Sequence, residues 1–237
     1  MRRSDSGKPQ PLSSKLDAAI SRRRAMSLHD PAVTLTDYLL AVECVWFAGW
    51  LVRRSVPPAA FLRRAFVLLF AATAAASLLG GTVHGFFPDP ASAGNRILWL
   101  ATLLSIGAAA MAMLAAATSL GIGAETAHRA IPGLWLLFGA YAVVVAFGSR
   151  SFVIAMAAYL PAALLLLAAF ARGWRKGKPG AAAGIGGVVV TLLAAGGQQA
   201  GLGLHPVYFN HNAVYHVVQG IALYLLFRAA SVAGAAE

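Results

Sequence analysis

The hydrophobic positions of this chain fall into seven long runs: Thr34–Val52, Ala65–Gly85, Ile97–Leu120, Ile131–Gly148, Phe152–Ala171, Ala181–Ala200 and His211–Ser231. Each is near the roughly 20 residues that a helix needs to cross the hydrocarbon core of a bilayer. The pattern predicts an all-α polytopic membrane protein, a seven-transmembrane-helix bundle. Residues 1–33 are polar and basic and read as a disordered or surface-lying tail; 34–231 form the membrane domain, and 232–237 a short C-terminal tail. The first run has no evident small-x-small cleavage site, so it reads as an uncleaved span rather than a signal peptide. Met26 opens "MSLHDPAVTLTDYLL", an alternative compact start.

Composition agrees with this reading: 59% of residues are hydrophobic and 11% charged, against about 25% charged in soluble domains. The formal charge of +11 would suggest nucleic acid in a soluble chain. Here most Lys and Arg flank the runs, where they meet lipid headgroups and set topology, so nucleic acid is not an expected partner. Membrane lipids are. Near the membrane, five basic residues on the N-terminal side (Arg22–Arg24, Arg96, Arg150) face ten on the other, from Arg53 to Arg228. The positive-inside rule then predicts a plasma-membrane protein with its N-terminus outside and its C-terminus cytoplasmic.

Trp50, Trp99 and Trp174 lie near run ends, as interfacial anchors do, whereas Trp46 is deeper and reads as a packing residue. Cys44 is the single cysteine and cannot form an intrachain disulfide. "GAAAG" at 180–184 and "GQQAG" at 197–201 place glycines four apart, the spacing that lets helices approach closely in lipid. No strand precedes them, so a phosphate-binding loop is unsupported.

Ionisable and amide groups within apolar runs are costly unless they face protein or water. Asp37 and Glu43 lie in the first run, His84 closes the second, Gln198 and Gln199 close the sixth, and His211, Asn212 and His216 open the seventh. Glu43 reads as a member of a buried hydrogen-bond network. At about 100° per residue, Ser77 and His84 fall within about 20° of each other, and Asn212 and His216 within about 40°. Alternation of the spans brings Asp37, His84, Asn95, Gln198, Gln199, His211, Asn212 and His216 to one membrane surface. His84, Asn95, Gln198, Gln199, His211, Asn212 and His216 are expected to line one polar pocket, where neutral imidazoles are suitable zinc ligands.

The serine and histidine of the second run, the polar residue opening the third and the histidines of the seventh resemble the superfamily of alkaline ceramidases and progestin and adipoQ receptors. "HGF" and "HNxxxH" resemble a bacterial branch of these seven-helix proteins. The resemblance covers roughly residues 34–231. It implies a zinc ion held by His84 and His216, and an assisted amide hydrolysis. Asn212 and Asn95 stand where the superfamily has a histidine and an aspartate; His211 would complete the metal set and Asp89 supply the carboxylate. The expected activity is cleavage of a lipid amide or ester, with metal His84, His211 and His216, catalytic Ser77, Asp89 and Asn95, and Asn212, Gln198 and Gln199 lining the pocket. The alternative is a metal-free membrane sensor, transporter or lipid-binding protein that holds a lipid or small-molecule ligand. Bis-histidine haem between the second and seventh spans is a third expectation.

Overall fold

The computed structural model describes residues 28–54, 60–206 and 208–233. Among them are α1 (Pro31–Arg53), α2 (Ala60–Phe86), α3 (Ala93–Gly121), the short α4 (Ala124–Arg129), α5 (Ile131–Val143), which ends in a π-turn at Val144–Gly148, α6 (Phe152–Arg175), α7 (Ala181–Gln199) and α8 (His211–Ala233). Seven segments are long and apolar enough to cross a membrane, with α5 and its π-turn forming the fourth. The chain is a multi-pass membrane protein, because lipid offers no partner for backbone polar groups and each crossing must satisfy its own. The sequence readings at 1–27, including Met26 and Arg22–Arg24, lie outside the described residues.

Most helices run a few residues past their apolar runs. α1 starts at Pro31, inside the segment read as tail, with proline near its N-terminus where a missing N–H costs nothing. α2 begins at Ala60, ahead of Arg63 and Arg64, and α6 continues through Arg172 to Arg175. Hydropathy marks only the hydrocarbon crossing, whereas the helix persists beyond it, where Arg64, Arg172 and Arg175 are exposed and Arg63 is buried.

α2 packs between α1 and α3, α6 on α3, and α8 on α7 and α1. The end of the bundle at the C-termini of α1 and α8 is filled by aromatics. Phe47 stacks on Phe227 at 4.4 Å between ring centroids and meets Phe70 edge-on at 5.4 Å. Phe66 lies between Phe70 and Phe170. This plug leaves the other half of the bundle to form a chamber. Trp46, read as a packing residue, is 58% exposed. Its ring leans on Phe47 and Phe227 while its outer face points away from the bundle.

The two glycine pairs behave differently. In "GAAAG", Gly184 lies against the Phe170 ring and Gly180 against the Ala229 carbonyl; Gly187, just beyond, faces the Ala222 carbonyl and Leu226 of α8. In "GQQAG", Gly201 has φ +72° and nothing within 4 Å of where a Cβ would stand. Its N–H bonds the Gln198 carbonyl and that of Leu202 bonds the Gly197 carbonyl, the pattern that ends a helix on a left-handed glycine. That pair therefore terminates α7 instead of packing it, a correction to the sequence reading.

A Cβ on Gly187 would stand 2.9 Å from a backbone carbonyl, which cannot rotate away. Gly187→Leu is expected to push α7 off α8 and cost about 1–3 kcal/mol, the usual range for overpacking. Gly196→Leu, with open space around it, should melt like the parent. Thermal unfolding in detergent compares the two, and equal melting would refute this account of the α7–α8 contact.

Candidate functional site

The half of the bundle away from the aromatic plug encloses a chamber of about 900 Å³. The i, i+4, i+7 spacing of helices lines it with stripes. From α2 come Thr73, Ser77, Gly80 and His84; from α8 come His211, Asn212, Tyr215, His216 and Gln219; from α1 comes Asp37. α3 contributes Trp99 and Thr102, α6 Tyr159, and α7 Thr191, Gln198 and Gln199. Two ties hold the rim. Asn210 donates from Nδ2 to Asp30 Oδ2 at 3.1 Å, fixing the start of α8 to the start of α1. Trp99 Nε1 donates to the Arg150 carbonyl at 2.8 Å, fixing α3 to the approach to α6.

Asp37 and His216 form the chamber's buried pair. His216 Nε2 stands 3.3 Å from Asp37 Oδ1, with both side chains at most 10% exposed. The other ring nitrogen, Nδ1, is 3.2 Å from Thr36 Oγ1. Thr36 already donates its hydroxyl proton to the carbonyls of Ala32 and Val33, so its oxygen accepts and Nδ1 is the donor. That tautomer turns the Nε2 lone pair toward a carboxyl oxygen, and a proton or another cation must lie between them. Asp37 reaches this position because α2 carries glycine beside it: a Cβ on Gly81 would come within 2.8 Å of Asp37 Cβ.

Other lining groups are unengaged. Ser77, His84, His211, Tyr159 and Tyr215 make no side-chain hydrogen bond among the described residues. Gln219 is 4% exposed and reaches Thr191 through Nε2 at 3.4 Å, leaving Oε1 without a partner. Pro161 has no N–H to give the Ala157 carbonyl one turn earlier, and Ala157 is also in the lining. Buried polar groups are normally paired; among these groups Gln219 Oε1 is buried without a partner, and the others open onto the cavity.

A window opens the chamber sideways. α6 and α7 touch near the plug, where Phe170 meets Gly184 and Gly173 meets Ala181. Val153, Ala157 and Leu160, at successive depths on one face of α6, line the chamber and are also exposed. Gly196 and Gln199 do the same on α7.

Against the sequence reading, His84, His211, His216, Ser77, Asn212, Gln198 and Gln199 all come to this one cavity. Asn212 Oδ1 accepts from Gln198 Nε2 at 2.9 Å, so these two brace α7 against α8. Asp89 and Asn95 lie outside the lining. Asp89 turns back to accept the Ala91 N–H at 2.9 Å, and Asn95 donates to the Phe87 carbonyl at 2.7 Å, so both are spent holding the α2–α3 loop. Glu43 joins no hydrogen-bond network among the described residues; its carboxylate fits the notch at Gly220. Tyr159, Tyr215 and Thr36 were not legible as site residues, since tyrosines and threonines in apolar runs carry no positional signal.

A family model spans residues 32–234, from the first turn of α1 to the end of α8. The chain belongs to DUF6962, a family of unknown function. No curated protein and no solved structure matches it. The DUF6962 match covers every element that builds the chamber. Among the described residues no three His, Cys, Asp or Glu side chains converge as a metal-holding group; the pair that converges is Asp37 with His216.

Proposed function

We propose that this protein binds an amphipathic molecule of the membrane, a lipid or lipid-like small solute, with its polar end in the chamber and its apolar part in the window between α6 and α7. The observation that carries this is the coincidence of the two features: polar groups without partners inside a cavity that exposed residues of two membrane-spanning helices, α6 and α7, also line. Sites for small ligands combine mostly apolar walls with a few convergent polar groups, and here Ser77, Tyr159, Tyr215 and Gln219 supply those groups. The protein acts on this reading as a sensor, carrier or binding protein. Protein purified in mild detergent and analysed by native mass spectrometry should retain a bound amphiphile that Gln219→Leu releases. Protein that retains nothing, and whose melting no membrane lipid shifts, would sink the reading.

A second reading, a zinc-dependent lipid amide or ester hydrolase, has one observation in its favour. Adjacent ligands of a tetrahedral zinc with bonds of about 2.0–2.1 Å stand about 3.3 Å apart, and this is the Asp37–His216 separation. Asp37 and His216 would hold the ion; His84 lines the same cavity but does not converge with them as a third ligand among the described residues. When bound, zinc would supply a Lewis acid that polarises a carbonyl. Elemental analysis decides: one zinc per chain, lost in His216→Ala, establishes it, and its absence from gently purified protein removes it.

The membrane is the plasma membrane on this proposal, with the chamber's rim on the outer side. A reporter fused after Glu237 should behave as cytoplasmic, because ten basic residues near the membrane share its side. An extracytoplasmic signal would invert the topology.

A further inference from the structure

Arg63 lies at the opposite end of the bundle from the chamber, in the first turn of α2. It belongs to the inward stripe that continues through Phe66 and Phe70, three and seven residues on, both fully buried. The side chain is 7% exposed, and its Nε and Nη1 are buried without an acceptor. Those two atoms carry three of the five guanidinium N–H groups. A buried cation is ordinarily paired and hydrogen-bonded, because the cost of leaving water is otherwise unrecovered.

The protein's described residues offer no counter-charge there. This end carries Arg53, Arg54, Arg64, Arg129, Arg172 and Arg175. Its one carboxylate among the described residues is Glu125, already paired with Arg129 at 2.5 Å. Arg54 is turned over the Trp50 ring, 4.5 Å from its centroid. The N-terminus of α2, with its outward-pointing N–H groups, adds positive potential of its own. A guanidinium on the inward face, its donors free, amid cations and at headgroup depth is chemistry that an anion completes.

We propose that Arg63 anchors a second site, distinct from the chamber, for a phosphate group. The guanidinium fork matches phosphate oxygens in pairs. Helix ends at the membrane surface are where such groups are concentrated, either as the headgroup of an anionic lipid or as a soluble phosphate ester. Arg64, exposed on the next position, points away and contributes only to the general field.

The test uses full-length protein in alkyl maltoside micelles, which contain no phosphate, at constant ionic strength set with chloride. Phosphatidylglycerol is added in one arm and inorganic phosphate in another, with the thermal unfolding midpoint and native mass spectra as readouts. Wild type is expected to be stabilised in a saturable way. A response to the lipid alone assigns the site to a headgroup, and a response to inorganic phosphate assigns it to a soluble ester. Arg63→Met should shift half-saturation at least tenfold, and without anion should melt no lower than wild type, since it removes an unpaired buried charge. Arg64→Met should respond like the parent. Should the methionine variant fail to fold, Arg63→Lys keeps the charge without the fork and is expected to bind several-fold more weakly. The proposal is overturned if wild type responds to neither ligand, or if the Arg63 variants respond as wild type does.

Discussion

Replacing His216 with leucine is expected to destabilise the protein by about 3 kcal/mol, the range in which a buried polar partner is lost and its mate stranded. Asp37 is 4% exposed, and without the imidazole its carboxyl, which lies beside Gly80, loses its one partner among the described residues. Thr36 loses its Nδ1 donor as well. Asp37→Leu strands the imidazole in the same way, whereas the double replacement by leucine removes both groups and is expected to recover most of the loss. The non-additivity of this cycle measures the coupling between the two residues. Asp37→Asn separates the possible bridges. An asparagine amide can donate to the Nε2 lone pair, so a pair joined by a proton should tolerate it to within about 1 kcal/mol. A pair joined by a metal should not, and would lose the ion with it. Denaturant unfolding in one detergent, followed by tryptophan fluorescence, gives all five stabilities including wild type. Additive single and double effects would show that the two side chains merely lie side by side.

Ala157→Trp is expected to abolish retention of the chamber ligand while leaving the melting temperature within a degree or two of wild type. Ala157 is exposed on the face of α6 that forms one lip of the window, between Val153 and Leu160, which are 61% and 48% exposed. An indole there meets lipid rather than core, so overpacking is absent, and its bulk lies across the path between bilayer and chamber. Tyr159→Phe is the complementary variant. It keeps the shape of the wall and deletes one unpaired hydroxyl, so ligand is expected to bind with an affinity lowered by roughly tenfold, the equivalent of about 1.4 kcal/mol. Native mass spectrometry of the co-purified amphiphile, with thermal melts on the same samples, separates these outcomes. A tryptophan variant that still carries its ligand would mean that entry is not through the side wall. A phenylalanine variant indistinguishable from wild type would remove Tyr159 from the site.

The polar half of the site was largely visible in the chain. His84 and His216 stood out because imidazoles are rare inside apolar runs, and counting spans placed them on one surface. Asp89 and Asn95 were misplaced for a local reason: loop carboxylates and amides find backbone groups within a few residues, and Asp89 with Ala91 and Asn95 with Phe87 do so. Glu43 drew attention by its charge, but the notch at Gly220 that receives it depends on the rotation of α8 against α1. The window was invisible, because Val153, Ala157 and Leu160 look like any lipid-facing stripe. Arg63 likewise resembled its neighbour Arg64, and both were assigned to topology.

Hydrophobic run length and the placement of charges determined by themselves that the chain crosses a membrane seven times, where each crossing lies, and which residues share a surface. Those are one-dimensional consequences of bilayer thickness and of the backbone's need for internal hydrogen bonds. Tertiary structure alone decided that Asp37 pairs with His216, that the aromatics seal one end of the bundle, and that exposed residues of α6 and α7 line the chamber. In lipid every apolar face is equally well solvated, so hydropathy does not say which faces meet. Close packing of small and large side chains does, and that is settled only when the helices are in place.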